Sequence, residues 1–159
     1  MRNAGKGNDP AKIVVANRSV PRLEEIRRIN EEMNEMDIPT EYYLTPNPGQ
    51  NDDVLAGMGQ GSLIINATGL GKDRPGSPLT NNAVFPEGAL VWEINYRGER
   101  TFMHQAEGQA RERNLQVIDG WMYFIFGWTQ VIAEVFHTEI LGEKLKKMER
   151  IAAEFNQRA

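Results

Sequence analysis

Three short polar segments hold the residues best suited to chemistry, and each follows directly on an apolar run. The first is Asn17-Arg18-Ser19-Val20-Pro21-Arg22. Two guanidinium groups beside a strand end offer forked, permanently charged donors, the arrangement that grips a phosphate monoester. A solvated helix start with ordinary basic residues reads the same way. The second segment is Asn66-Ala67-Thr68-Gly69-Leu70-Gly71-Lys72. Its glycines let the backbone approach a ligand closely, and a plain turn explains them equally well. The third is Glu93-Ile94-Asn95-Tyr96-Arg97-Gly98. A tyrosine hydroxyl there can donate to a ligand; the alternative is a packed ring with a wet tip. The two histidines, His104 and His137, stand far apart without a carboxylate cluster at ligand spacing, so no metal site is expected. The chain has no cysteine, which excludes disulfides, thiolate chemistry and Cys-ligated metal centres.

These segments need elements to hold them. Residues 1–11 are polar and Gly-rich and read as a flexible N-terminus. Lys12-Ile13-Val14-Val15-Ala16-Asn17 suits a strand buried on both faces. Ser19 and Pro21 then start a helix, and Leu23, Ile26, Ile29, Met33 and Met36 give it one apolar stripe, closed by Asp37-Ile38-Pro39. Thr40 to Thr45 is a second strand. Pro46 to Gly49 break the chain, and Asn51-Asp52-Asp53 open a short helix to Met58. Ser62 to Asn66 is a third strand, followed by a Gly/Pro-rich loop from Ala67 to Gly88. Ala89 to Asn95 is a fourth strand. Thr101 caps a helix over about Phe102 to Arg113, and Asn114 to Ile118 is a fifth strand. Residues 121–157 read as helix with a joint near His137-Thr138; Leu141, Leu145, Met148, Ala152 and Phe155 form a stripe too short for a coiled coil, and docking on the sheet is expected. Strands alternating with helices define an α/β unit with a mostly parallel sheet and helices on both faces.

Composition narrows the function. The chain has 159 residues, enough for one domain, and a formal net charge of -4. An acidic balance argues against a general nucleic-acid binder. Trp121 to Phe136 is shorter than the roughly 20 residues that span a bilayer, and the N-terminus lacks the apolar core of a secretory signal. A cytoplasmic address is expected.

The three polar segments, in order and with Val117-Ile118-Asp119-Gly120, resemble the C-terminal, NADP-binding domain of the shikimate/quinate dehydrogenases. The resemblance runs from about Lys12 to Phe136 and implies a Rossmann-like fold (12–136) with a helical C-terminal tail (137–159). By it, Asn17, Arg18, Ser19 and Arg22 match positions that hold the adenosine 2′-phosphate, which implies NADP over NAD. Thr68 matches a residue lining the cofactor groove, Ile94 and Gly120 match residues beside the nicotinamide, and Tyr96 matches the tyrosine that reaches the substrate carboxylate. The implied reaction is hydride transfer between NADP and a cyclic hydroxy acid, an oxidoreductase step of aromatic amino acid biosynthesis.

The sequence also departs from that family. The expected first strand and its Gly-x-Gly-Gly diphosphate turn are missing, since Gly5-Lys6-Gly7 precedes a strand instead of following one. The substrate domain carrying the family's catalytic lysine and aspartate is absent from the sequence, so no catalytic residue is assigned. Phe126 and Gly127 stand where the family carries a substrate-contacting glutamine, Gln130 comes late, and Glu93 stands where an aspartate is usual. The expectation is an N-terminally truncated NADP-binding fragment, inactive by itself and weak for its coenzyme without the diphosphate turn. The alternative is a non-catalytic interaction or assembly module built on a Rossmann remnant; a different Rossmann-like reductase is a third option. Without its central strand, the sheet should either close by direct pairing of the strands flanking the gap or self-associate, through strand edges or the aromatic helix start Trp121, Tyr123, Phe124, Phe126 and Trp128.

Overall fold

The computed structural model describes residues 9–33 and 38–156. Met36, Asp37 and Gly5-Lys6-Gly7, singled out above, lie outside them. Among the described residues five strands and five helices follow in the order β1 (Ile13–Asn17), α1 (Val20–Met33), β2 (Thr40–Leu44), α2 (Pro48–Ala56), β3 (Leu63–Asn66), β4 (Leu90–Glu93), α3 (Thr101–Glu107), β5 (Gln116–Ile118), α4 (Trp121–Val135) and α5 (Gly142–Asn156). Every pairing is parallel, and the fold is α/β and Rossmann-like with a helical C-terminal tail.

The strands form two sheets, one of β1 and β2 and one in the order β3-β4-β5. The expected direct pairing across the gap does not form: β1 and β3, the strands that would flank a missing central strand, are not hydrogen-bonded to each other. In β1 the odd residues point their backbone groups at β2, as the Ile13 N–H donates to the Pro39 carbonyl (2.9 Å) and the Asn17 carbonyl accepts from Thr45 N–H (2.9 Å).

The two faces of the first sheet are covered differently. Tyr42 lies on the α1 face, where its hydroxyl accepts from Asn30 (2.8 Å) and its ring sits 4.8 Å from the Arg27 guanidinium. Lys12, Val14 and Tyr43 lie on the other face and line a cleft with Val54 and Met58 of the α2 segment. Side chains alternate along a strand, so α1 and α2 sit on opposite faces.

The core lies in the second sheet. Ile64, Val91 and Val117 stand side by side on one face and pack with Leu55 of α2, Phe102 and Ala106 of α3, and Leu79, Ala83 and Phe85 of the long loop. Phe85 and Phe102 meet edge to face at 5.7 Å. Asn51 donates to the Pro78 carbonyl (2.8 Å) and Asp52 accepts from Thr80, which ties α2 to that loop. The opposite face is thinly covered by α4, whose Tyr123 meets Trp92 at 5.6 Å.

Two boundaries and one packing contact differ from the sequence reading. α2 begins at Pro48, not at Asn51, because proline at the first helical position gives up a donor that has no partner there anyway, and the Gln50 side chain accepts from the Asn47 N–H (3.0 Å). α3 stops at Glu107 instead of Arg113, where Gly108 follows; the next residues turn, and Asn114 takes a left-handed φ of 51°. α5 packs against α4 rather than docking on a sheet.

Candidate functional site

In parallel sheets with right-handed crossovers the strands present their carboxyl ends along one edge, and ligands bind there. At the end of β1 the Asn17 side-chain oxygen accepts from the Ser19 N–H (3.0 Å), and this Asx turn sends the chain into α1. The Ser19 carbonyl accepts from the Leu23 N–H (3.1 Å), which anchors the first turn through a buried leucine. Arg18 and Arg22 flank this turn. Both are exposed, and neither makes an ion pair or side-chain hydrogen bond among the described residues. The interior does not hold them.

The ends of β3, β4 and β5 are joined by a buried polar network. Glu93 is fully buried. Its carboxyl accepts from Asn66 Nδ2 (2.9 Å) and from the Asn95 N–H (2.9 Å). Burial pushes the Glu93 carboxyl above the ordinary carboxylate range, and the hydrogen bonds from Asn95 and Asn66 and the Arg100 charge work against that rise. Asn66 uses its oxygen for the N–H and hydroxyl of Thr68 (3.0 and 2.8 Å), so Thr68 is fixed at the exposed lip of β3. Asn95 donates to the Leu70 carbonyl (3.0 Å), pinning the loop to β4. Arg100 pairs with Asp119 at 3.3 Å, and Asp119 caps the start of α4 by accepting from the Trp121 N–H (3.0 Å).

Ile94 and Gly120 come together through their backbones. The Gly120 N–H donates to the Asn95 carbonyl (3.3 Å), and a side chain at Gly120 would overlap the Ile94 carbonyl group. Tyr96 is half-buried, with its ring stacked on Phe124 (3.9 Å between centroids) and the Lys72 ammonium 5.0 Å away. The candidate residues therefore form two groups. Asn17, Arg18, Ser19 and Arg22 stand at the end of β1, while Thr68, Ile94, Tyr96 and Gly120 line the ends of the second sheet. No hydrogen bond or ion pair joins the two groups among the described residues.

Glu93, Asn66 and Asn95 appear in the sequence only as polar tips of apolar strands. A polar residue at the last buried level of a strand is itself a signal, because it must find a partner. The Arg100–Asp119 pair carries no comparable signal, being set by the turn before α3. Among the described residues no cluster of His, Cys, Asp or Glu could hold a metal ion, and no helix is long and apolar enough to cross a membrane.

No protein-family model matches the chain, and no solved structure matches it. Among curated proteins the chain is similar to the shikimate dehydrogenase (NADP(+)) of Streptococcus gordonii, with 31% identity over 91 residues. The match covers 57% of this chain and 30% of that protein, so the chain matches less than a third of that relative's length. The identity supports a shikimate dehydrogenase-like relationship.

Proposed function

We propose that this chain is the coenzyme-binding part of a shikimate dehydrogenase-like oxidoreductase and takes NADP by its adenosine 2′-phosphate. The observation that carries the reading is the pair of exposed guanidinium groups, Arg18 and Arg22, unengaged among the described residues, on the Asx turn at the end of β1 and in the first turn of α1. Two free forks at one strand end suit a phosphate monoester, and a bare ribose hydroxyl needs neither.

The other residues take supporting parts. Asn17 and Ser19 hold the turn that presents the arginines. Thr68 lines the groove at β3, while Ile94 and Gly120 form a tight backbone wall where the nicotinamide would lie. Tyr96, its ring held by Phe124, offers a hydroxyl to a substrate carboxylate. Bound NADP would accept a hydride from a cyclic hydroxy acid or, reduced as NADPH, return it to the corresponding oxo acid. The described residues include no Gly-rich turn between a strand and a helix N-terminus to take the diphosphate, so affinity is expected to be weak, above the low micromolar range. The family's catalytic lysine and aspartate belong to a separate substrate domain, and this chain by itself is expected not to turn over. A cytoplasmic address belongs to the same reading.

Calorimetric titration of NADPH and NADH into the chain and into Arg18→Ala tests the assignment. The substitution should weaken NADPH about tenfold or more, as expected for loss of a charge-assisted contact, and leave NADH unchanged. Equal loss for both coenzymes removes the 2′-phosphate role. A second reading, a non-catalytic assembly module, is favoured by the exposed apolar residues of α4 and its end, such as Trp128 and Phe136 at 58% and 72% exposure. Absence of coenzyme binding together with self-association through α4 would favour it.

A further inference from the structure

We propose that Glu93 is a positioning residue: its carboxyl, both of whose oxygens accept, turns the Asn66 side chain so that Thr68 is locked as a hydrogen-bond acceptor at the lip of β3. The ligand group that meets the Thr68 hydroxyl is then a donor, a ribose hydroxyl or a carboxamide N–H, and not a phosphate oxygen. This last step rests on the coenzyme reading given above.

The polarity can be followed atom by atom. Glu93 Oε1 accepts from the Asn95 N–H and Oε2 accepts from Asn66 Nδ2, each at 2.9 Å. The Asn95 N–H is a backbone group and can only donate. Asn66 is 1% exposed, so its amide takes the orientation that its protein neighbours allow. With Nδ2 held by Glu93, Oδ1 faces Thr68. It accepts from the Thr68 N–H (3.0 Å) and from the Thr68 hydroxyl (2.8 Å). A hydroxyl has a single proton, and this bond uses it. The Leu70 N–H donates to Thr68 Oγ1 (3.2 Å), so the oxygen keeps one acceptor site at an exposed position. A phosphate oxygen, itself an acceptor, finds no donor in that hydroxyl.

A carboxamide in place of the carboxyl reverses this order. Glu93→Gln puts a fixed donor, the amide nitrogen, at one of the two oxygen positions. Facing the Asn95 N–H, it meets a backbone donor that cannot turn. Facing Asn66, it gains an acceptor once the Asn66 amide rotates, and Nδ2 then turns on Thr68. Thr68 is exposed, so its N–H and hydroxyl can go to water, and the second arrangement is the less costly one. Glu93→Gln should therefore release Thr68 while the strands stay in place.

Amide hydrogen exchange followed by NMR on the intact chain, without coenzyme, tests the relay in Glu93→Gln, in Asn66→Asp and in the variant carrying both. The expected result for Glu93→Gln is at least about fivefold faster exchange at Thr68, with Val91 in the core changed by less than about twofold. The double variant moves the acid to position 66, where it accepts from the new carboxamide and from both Thr68 donors. Its Thr68 exchange should return to within about twofold of the parent, although Asn66→Asp alone sets two carboxyl groups against each other. A carboxyl that only fills space predicts unmoved Thr68 exchange in Glu93→Gln, or damage that adds in the double variant, and either result overturns the proposal. If Glu93→Gln does not fold, recovery of the fold in the double variant supports the relay and its absence overturns it. For the ligand step, NADPH titrated by calorimetry should bind Glu93→Gln about three- to tenfold more weakly and bind the double variant like the parent. Unchanged NADPH affinity in Glu93→Gln overturns the acceptor role of Thr68. A parent chain that binds no NADPH is the failure of the coenzyme reading, and the exchange result decides the relay by itself.

Discussion

Replacing Gly120 by alanine should be among the most damaging single changes in this chain, although it adds only one methyl group. Gly120 has φ −84° and ψ 3°, a conformation open to alanine, so backbone preference costs nothing. The obstacle is contact. The new Cβ would overlap the Ile94 carbonyl group and come within 3.0 Å of the Asn95 carbonyl carbon. All of these are backbone atoms, so no rotamer change relieves the clash. Moving the turn away breaks the Gly120 N–H bond to Asn95 (3.3 Å) and tilts the first turn of α4, whose Phe124 N–H donates to the Gly120 carbonyl (2.9 Å). Overpacking typically costs 1–3 kcal/mol, and a lost hydrogen bond adds about 1 kcal/mol, so we expect destabilisation of about 3 kcal/mol. Urea denaturation followed by tryptophan fluorescence reads this directly, since Trp121 lies next to the turn. A variant within about 0.5 kcal/mol of the parent would show that Ile94 and Gly120 do not meet. The backbone wall assigned to the nicotinamide would fall with that contact.

The same substitution seven residues on should have the opposite sign. Gly127 lies inside α4 with nothing within 4 Å of an added Cβ, and Gly127→Ala is expected to stabilise by about 0.5–1 kcal/mol in the same urea assay. Arg18→Ala and Arg22→Ala should leave the denaturation midpoint within about 0.5 kcal/mol of the parent, because both side chains are exposed and unengaged; a larger loss would mean that they hold the fold. Glu93 should make stability fall as pH rises. Its native carboxyl binds a proton more tightly than the ordinary value of 4.5, so its contribution is full below about pH 4.5 and is lost as pH passes upward through the raised native value. The stability of the parent relative to Glu93→Gln should therefore fall from pH 4 towards neutral, and a difference that stays flat with pH would contradict the burial of that carboxyl.

Strands were legible because their β-branched centres, Ile13-Val14-Val15, Ile64-Ile65 and Val91, favour an extended ladder, although Ile65 is 46% exposed and β1 is not buried on both faces. Helix ends were less so. Pro48 looks like a breaker in sequence, and only the turn at Asn47 shows it to be a first helical residue. The end of α3 was overrun because Gln109 to Arg113 continue in helix-compatible residues, while the chain itself turns after Gly108. The strand-end segments carrying Arg18, Thr68, Ile94 and Tyr96 could be read as polar punctuation after apolar runs. Their grouping could not. The separation of the β1 cluster from the others follows from the break between the sheets, and the need for glycine at position 120 follows from a contact with Ile94 that lies 26 positions earlier.

The loop between β3 and β4 places Leu79, Ala83 and Phe85 in the core, yet Asp73, Arg74, Pro75 and Gly76, a few positions earlier, are exposed. Connecting segments usually absorb insertions without harm, but this one is divided. A reporter peptide or an affinity tag grafted at 73–76 should be tolerated, and nicking in this stretch by a protease of broad specificity should yield two fragments that elute together. The same graft placed between Leu79 and Phe85 would unseat the interior, so the connection behaves as permissive ground for engineering at its start and as a fixed foundation at its end.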